Sequence, residues 1–535
     1  MTNPSTVQAR ALVDGLLRSG IGEVVLAPGS RNGPLSIALA QAAGANRLRL
    51  HVRVDERSAA FLALGLAKRL AAPVAVVCTS GTAAAHFHAA AFEATEAGVP
   101  LLLITADRPP VLRGKGANQT INQRELFGVA VLKSLEAPIA SNQLDAHWRG
   151  LIADAVAAAH GNATTMPGAV HINLPFAEPL VPGDGDSSWT NGLPPVAAPR
   201  HSAEVPRGNW SGIWPSGGAT PKGVIITSDP SQAEDVGAFA SQLGWPVLAE
   251  PGSGARLGLC AITHYPACLA NPELRPEVVV TLGRFALSRS VAAFVRNAGR
   301  HVAVGRAAVD PLATVAAQLP RLPDVSRLSP VDASWLAAWR AEDALAAARA
   351  PSAPAAMTAA ALATMEPGDL VWYGPSSTIR YAEQVAPAFD DVMTSFINRG
   401  TNGIDGVVSS AIGAALAHQL RRPHAFALAL LGDLTFLHDI NGLLIEAQSP
   451  VPDMALVVLD SNGGRIFETL EQGAPEYHEL FKRVYGTPHN RDLVTIARGF
   501  GARAHEVNDK SALTSALRSA RNDGGINVIV VNLRG

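Results

Sequence analysis

Short apolar runs that end in polar or glycine-bearing loops set the rhythm of this chain. Val24-Val25-Leu26-Ala27 runs into Pro28-Gly29-Ser30-Arg31, His51–Val54 into Asp55-Glu56, Val74–Cys78 into Thr79-Ser80-Gly81, and Leu101–Thr105 into Ala106-Asp107-Arg108. An unbroken apolar run of this length is the pattern of a strand buried on both faces, and parallel sheets bury both faces under helices. Val7–Leu17 instead repeats its apolar residues at helical spacing and stops at Ser19-Gly20, so a helix opens the fold. Helix-like segments between the apolar runs predict an α/β architecture, a doubly wound parallel sheet whose carboxyl-end loops carry the polar residues.

Further on, Gly183–Gly218 is rich in Gly, Pro, Ser and Trp without a sustained period and is expected to be a linker. Val224–Thr227, Val247–Ala249, Val278–Leu282 and Val302–Val304 outline a smaller α/β unit, closed by a helical segment and the Ala/Pro-rich stretch Ala341–Ala356. Strands near Leu370–Tyr373, Ala425–Leu431, Ala455–Leu459 and Ile526–Val531 then repeat the rhythm of the first unit. The expected plan is 1–185, a linker 186–220, 221–350 and 351–535, with two outer units that look like an ancient pair.

At 535 residues the chain is too long for one core. With 48% hydrophobic and 16% charged residues it is expected to be compact and largely ordered. A net charge of −2 provides no basic field, which argues against nucleic acid as a partner and makes any anion recognition local. Cys78, Cys260 and Cys268 lack the spacing of a zinc site or a disulfide framework, so a reducing cytoplasm is expected. Met1–Arg10 has no apolar signal core, and no stretch is long enough to span a bilayer, so integral membrane association is not expected.

Candidate chemistry collects at the strand ends. Asp433 follows an apolar run directly, in Gly432-Asp433-Leu434, and one helix and one strand later comes Asp460-Ser461-Asn462-Gly463-Gly464. Magnesium prefers hard oxygen ligands and accepts phosphate oxygens, so Asp433, a side-chain oxygen from Ser461 or Asn462, and a nearby carbonyl suit a metal–diphosphate clamp. An isolated Gly-Asp is more often an ordinary acidic turn; the Asn-Gly-Gly cluster tips the balance. Glu56, after another buried strand, could hydrogen-bond a heterocycle and pass a proton, although alone it reads as a helix-start acid. Arg31, Arg108, Arg289 and Arg380 each fall in or just beyond a strand-end loop, where guanidinium grips carboxylate in two-point fashion, and Asn118-Gln119 adds neutral donors. Together the arginines predict a substrate with several carboxylates.

Other signals are weaker. His86 and His88 sit two apart in an alanine-rich expected helix, point to different faces, and suit packing better than a metal. Gly252-Ser253-Gly254-Ala255-Arg256-Leu257-Gly258 imitates a dinucleotide loop, with its last glycine one residue late. Arg284 and Arg306 would serve a non-catalytic metabolite sensor, or surface charge.

The motifs Ala27-Pro28-Gly29-Ser30-Arg31, Asp55-Glu56-Arg57, Thr79-Ser80-Gly81-Thr82-Ala83, Ala106-Asp107-Arg108-Pro109-Pro110, Asn398-Arg399-Gly400 with Gly403-Ile404-Asp405-Gly406, and Gly432-Asp433-Leu434 resemble the SEPHCHC synthase (MenD) family, thiamine diphosphate enzymes of the menaquinone pathway. The likeness spans nearly the whole chain. It implies a pyrimidine-binding domain and a diphosphate-binding domain flanking a middle domain, and an active site formed between two subunits of a homodimer or dimer of dimers. It implies thiamine diphosphate with Mg2+, or Mn2+ in its place, and 2-oxoglutarate and isochorismate as substrates. Carbon dioxide is lost from the first, and the succinyl carbanion adds 1,4 to the second.

By the same resemblance Glu56 contacts the aminopyrimidine, and Ile404 props the cofactor in its bent form. Ser80, Gly81, Asn398, Arg399, Gly400, Gly432, Asp433, Leu434, Gly463 and Ile466 hold the cofactor. Ser30, Arg31, Arg108, Asn118, Gln119, Arg289, Ser376 and Arg380 hold substrate carboxylates and hydroxyls, and Ile466, Phe467 and Leu470 form an apolar wall. The metal set is Asp433, Ser461 or Asn462, and the Gly463 carbonyl. The chain departs from the general thiamine motif by carrying Asp460-Ser461 where that motif ends in Asn-Asn. An acetohydroxyacid synthase relative is the rival within this cofactor class.

Overall fold

The computed structural model describes residues 3–140, 145–183, 185–198, 219–228, 233–285, 287–306, 309–388 and 394–534. Residues 199–218, the greater part of the expected linker, lie outside the described residues. The described chain forms two compact units, the first made of 1–204, 398–423 and 438–452, the second of 205–397, 424–437 and 453–535.

The first unit is built on a six-stranded, all-parallel sheet. Its strands are β1 (Glu23–Leu26), β2 (Arg49–Val52), β3 (Val74–Cys78), β4 (Leu101–Asp107), β5 (Lys133–Glu136) and β6 (Ala169–Pro175), in the order β2-β1-β3-β4-β6-β5. The opening helix Pro4–Arg18 starts cleanly because the Asn3 side chain accepts from the Thr6 N–H and Pro4 lacks an N–H to satisfy. Its Leu12, Val13, Leu16 and Leu17 are buried against the sheet. The helix Glu56–Leu70 lies against Val407–Arg421 at very close range. A Cβ at Gly65 would run into the Ser410 backbone and one at Gly413 into the Leu62 carbonyl, so these two glycines let the helices touch.

The second unit carries two all-parallel sheets. The smaller contains β7 (Gly223–Thr227), β8 (Val247–Ala249), β9 (Val278–Leu282), β10 (Arg300–Val304) and β11 (Val315–Leu319), ordered β11-β10-β9-β7-β8. The larger contains β12 (Leu370–Tyr373), β13 (Thr394–Ile397), β14 (Ala427–Gly432), β15 (Met454–Asp460), β16 (Arg503–Val507) and β17 (Ile526–Asn532), ordered β13-β12-β14-β15-β17-β16. Counted from its own first strand, this is the strand order of the sheet in the first unit. The repeated rhythm in the sequence therefore corresponds to a repeated topology. In both sheets the order reverses between the first and third strands, which opens a crevice at their carboxyl ends.

One reading is corrected. His86 and His88 do not share one helix: the helix Thr82–Ala85 ends before His86, and a new helix, His88–Ala97, begins at His88. The His88 ring packs on Phe92 and Phe127. The Gly252–Gly258 segment, whose glycine spacing already departs from that of a dinucleotide loop, is a packing corner. A Cβ at Gly252 would meet Ile397 at 2.5 Å. Buried Arg256 donates to the carbonyls of Ala249, Glu383 and Ala386 at 2.9, 2.9 and 2.5 Å. Tyr265 donates to Glu383 Oε1 at 2.5 Å, and burial, opposed by that hydrogen bond, pushes the Glu383 carboxyl up to about 7.

Helix propensity alone predicts that Gly65→Ala stabilises by up to about 1 kcal/mol. The contact with Ser410 predicts the reverse, a loss of about 1–3 kcal/mol, seen as a lower Tm. Glu383 provides a pH signature. Its folded pKa lies above the ordinary 4.5, so the stability that it contributes is complete below pH 4.5 and lost as pH rises through about 7. Glu383→Gln should match the parent at pH 4.5 and exceed it by on the order of 2 kcal/mol at pH 8, measured by denaturant titration at both pH values.

Candidate active site

The crevice of the first unit lies between the loops after β1 and β3. The Arg31 N–H crosses it and donates to Thr79 Oγ1 at 3.2 Å, while Arg31 Nη1 donates to the Phe176 carbonyl at 3.0 Å and Nη2 lies 3.6 Å from Glu178. Arg31 is only 8% exposed. Arg108, in the loop after β4, donates through Nη1 to the Gln119 carbonyl at 2.9 Å and to Ser80 Oγ. Burial and the neighbouring charge of Arg31 pull the Arg108 pKa down. Two guanidiniums this close form a place where an anion is welcome.

Ser80 is fully buried and its hydroxyl donates to the Gln119 carbonyl at 3.2 Å. Gly81, at φ +83°, points its N–H at Gln123 Oε1 (2.9 Å), and a Cβ there would meet Gln119 at 2.9 Å. Gln119 returns a hydrogen bond to the Ser80 carbonyl at 3.2 Å, while Asn118 and Ser30 are exposed at the rim. The structure thus gathers Arg31, Ser80, Gly81, Arg108 and Gln119. It adds Gln123, which the sequence reading missed. Gln123 Nε2 donates to the Ala106 carbonyl at 3.0 Å and to Asn173 Oδ1 at 2.9 Å, joining three strand ends.

Glu56 is the first residue of its helix, whose N-cap is Asp55, accepting from the Ser58 N–H. Glu56 is half-buried and forms no hydrogen bond among the described residues. Burial raises the Cys78 thiol pKa, and the charge of Glu56 adds to that rise, so the carboxylate faces the end of β3. The loop Asn398-Arg399-Gly400 also belongs to this unit. Glu93 accepts from Gly400 N at 2.9 Å, Thr401 N at 2.7 Å and Thr401 Oγ1 at 3.0 Å. Half-buried Lys68 stands 3.5 Å from Glu93 and donates to Asn398 Oδ1 at 3.3 Å. Burial lowers the Lys68 pKa and Glu93 opposes that fall. Ile404 precedes Gly406, which is at φ +63° and where a Cβ would also strike the Phe61 ring.

In the second unit, Asp433 stands at the end of β14, beside the break in strand order, and is 3% exposed. Its Oδ1 accepts from Leu434 N at 2.6 Å, and its Oδ2 from Gly463 N at 2.8 Å and Ser461 N at 3.1 Å. Burial raises its pKa, the Gly463 and Leu434 N–H groups lower it, and neighbouring Asp460 raises it again. Ser461 Oγ lies 3.5 Å from Asp433 Oδ2 and donates to the Gly463 carbonyl at 3.1 Å. Carboxylate, hydroxyl and carbonyl oxygens therefore converge as a set suited to a hard divalent cation. Gly463 is at φ +134°, and a Cβ there would collide with the Gly486 carbonyl.

Asn462 turns away from this set. Its Nδ2 donates to Asn490 Oδ1 at 2.8 Å and its Oδ1 accepts from Asn490 N at 2.8 Å, so both ends of the amide are engaged elsewhere. His489, unmarked by any motif, lies beside Asp433 and Asp460. Ser376, at φ +69°, starts the helix Ser377–Val385, and Arg380 on that helix donates to the Ser376 carbonyl at 2.6 Å and the Leu287 carbonyl at 3.5 Å. That brings the segment before Arg289 next to Ser376, with Arg289 itself exposed at the start of Arg289–Arg296. Ile466, Phe467 and Leu470 follow Gly464 as a half-buried apolar turn, with the Phe467 ring tilted against Tyr485 at 5.6 Å between centroids.

Residues 7–126 match the family described as thiamine pyrophosphate enzyme, N-terminal TPP binding domain, and residues 381–531 match the thiamine pyrophosphate enzyme, C-terminal TPP binding domain. In overall fold the chain is similar to benzoylformate decarboxylase from Polynucleobacter necessarius, with a TM-score of 0.68 at 17% identity, over 98% of each chain. It is 42% identical to the 2-succinyl-5-enolpyruvyl-6-hydroxy-3-cyclohexene-1-carboxylate synthase of Saccharopolyspora erythraea, covering 96% of this chain and 94% of the relative. The synthase of the same description from Thermobifida fusca is also 42% identical, with the same coverage, and that of Rhodococcus opacus is 38% identical over 99% of this chain and 96% of the relative. The chain belongs to the 2-succinyl-5-enolpyruvyl-6-hydroxy-3-cyclohexene-1-carboxylate synthase family of thiamine diphosphate enzymes.

Proposed function

We propose that this protein decarboxylates 2-oxoglutarate and adds the succinyl fragment 1,4 to isochorismate, with thiamine diphosphate and Mg2+, as a step of menaquinone biosynthesis. The observation that carries the reading is the Arg31–Arg108 pair beside Ser80 and Gln119, a cationic pocket suited to a substrate with more than one carboxylate. Thiamine diphosphate, when bound, supplies the nucleophilic carbon and the electron sink for decarboxylation. The remaining work falls to the chain.

Glu56 holds and returns a proton at the aminopyrimidine nitrogen, a role for which a half-buried carboxylate without an internal hydrogen bond is available. Asp433, Ser461 and the Gly463 carbonyl would hold the metal, and the Gly432–Leu434 turn would seat the diphosphate end; Asn398, Arg399 and Gly400 are cofactor-binding residues of the first unit. Ser461 is preferred to Asn462 because the Asn462 amide is already paired with Asn490. Ile404 would prop the cofactor. Arg31, Arg108, Arg289 and Arg380, with Ser30, Asn118, Gln119 and Ser376, orient the substrate carboxylates and hydroxyls. Ile466, Phe467 and Leu470 present an apolar face that favours loss of a carboxylate's charge as carbon dioxide.

In this reading 1–185 takes the pyrimidine end of the cofactor, 351–535 takes the diphosphate end, and 221–350 lies between them in sequence. A second copy completes each site, as a homodimer or dimer of dimers, in the cytoplasm. Among the described residues no helix is long and apolar enough to cross a membrane.

Purified protein supplied with thiamine diphosphate, Mg2+ and 2-oxoglutarate should consume isochorismate, followed by its absorbance. A preference for pyruvate over 2-oxoglutarate would instead point to an acetohydroxyacid synthase-like ligase. Glu56→Gln should bind the cofactor with parental affinity by calorimetry yet lose about 10²–10⁴-fold in turnover, the range for a removed proton-transfer group.

A further inference from the structure

One buried polar atom beside the proposed metal clamp has no partner. The His489 side chain is 8% exposed, and its Nε2 makes no hydrogen bond among the described residues. That nitrogen nevertheless stands 3.5 Å from Asp433 Oδ2 and 3.5 Å from Asp460 Oδ1. The other ring nitrogen determines what it can offer. Nδ1 accepts from the Arg491 N–H at 3.0 Å, and a nitrogen that accepts carries no proton, so the neutral ring has its proton on Nε2.

An Nε2–H has no lone pair for a metal. Asp433, Asp460 and His489 bring potential ligand atoms within 4.8 Å of one another, but in this tautomer the ring is a donor and not a third ligand. It faces two carboxylates, Asp433 and Asp460. The other donors around them are already placed. Asp460 Oδ2 accepts from Arg534 Nε and Nη2 at 3.0 and 2.7 Å, Asp460 Oδ1 accepts from Asn462 N at 3.0 Å, and Asp433 is held by three backbone N–H groups.

The ring's own position is fixed by its loop. Gly464 N donates to the Gly486 carbonyl at 2.8 Å, the Asn462–Asn490 amides pair, and Arg534 Nη2 donates to the Arg491 carbonyl at 2.5 Å. We infer that His489 is a positioning residue for metal binding: its Nε2–H, set between Asp433 and Asp460, holds the Asp433 carboxylate in the orientation that it presents to the divalent ion. The inference rests on the proposed reading of Asp433 as a metal ligand.

The probe is Mn2+, titrated into the full-length protein with thiamine diphosphate present and followed by the electron paramagnetic resonance of the free ion. His489→Ala should raise the Mn2+ Kd by about 10–100-fold, the usual effect of removing a group that orients a metal ligand. His489→Gln, whose side-chain amide can place an N–H where Nε2 was, should recover most of that loss. His489→Asn, whose amide reaches only to the Nδ1 position, should recover less. The Tm measured without metal should be similar for Gln and Asn, while the rise in Tm on adding Mn2+ follows the order of affinity. Parental Mn2+ affinity in His489→Ala, or equal impairment in Gln and Asn, would overturn the inference and leave the metal reading intact. Failure of the parent itself to bind Mn2+ would overturn both.

Discussion

A carboxylate buried at the end of a parallel strand must replace its lost water with other donors, and the surroundings of Asp433 follow from that need. Three backbone N–H groups do so, from Leu434, Ser461 and Gly463, and they come from two different loops. For Ser461 N and Gly463 N to reach the same oxygen, the chain between them has to turn sharply, which places Asn462 at φ +60° and Gly463 at φ +134°. That turn carries the Gly463 carbonyl and the Ser461 hydroxyl to the same side as the carboxylate. It also throws the Asn462 side chain outward onto Asn490. The oxygen set suited to a cation and the exclusion of Asn462 from it are thus two results of a single turn.

The same logic operates twice because the strand order is repeated. In each outer sheet the break between first and third strands leaves two strand-end loops side by side with no connecting strand above them. In the first unit the flanking loops bring Arg31 against Thr79, and Ser80 and Gly81 against Gln119 and Gln123. In the second they bring the Ser376 turn and Asp433. Topology provides the crevice, and the residues at its lip decide its chemistry: guanidinium and neutral donors in one, carboxylate and oxygen ligands in the other.

What the sequence could reveal follows from burial. Val74–Cys78, Val247–Ala249, Val278–Leu282 and Leu370–Tyr373 form strands with the predicted bounds because both of their faces are covered and their side chains are almost all apolar, Thr281 excepted. Lys133–Glu136 and Arg503–Val507 are edge strands with exposed polar faces, and their composition resembles that of loops. Ala169–Pro175 hid for another reason. It is fully buried, yet it carries Asn173, satisfied by Thr105, Gln123, Asp107 and Glu136 from outside the strand, and His171, whose Nε2 pairs with Thr105. Burial lowers the His171 pKa to about 4, so the ring is neutral there. The candidate site divides in the same way. Asp433 and Arg31 sit in loops directly after apolar runs and were legible, whereas Glu93, Gln123 and His489 reach the site from elements whose local sequence bears no mark of it.

The arginine pair shows why such distant supports matter. A guanidinium near another is held against their mutual repulsion only if something fixes both, and here the fixing groups are carbonyls, Phe176 for Arg31 and Gln119 for Arg108. Carbonyl oxygens orient a guanidinium without cancelling its charge, whereas a buried carboxylate would do both. Glu178, the nearest acid to Arg31, is 77% exposed at 3.6 Å, so water screens much of its effect. Buried Asp107 offsets part of the Arg108 charge, while the carbonyl partners set the geometry of both guanidiniums in advance. In the proposed reading a substrate carboxylate entering the pocket would lose hydration but find donors already oriented, which is the condition under which charge pairing favours binding and does not merely repay desolvation.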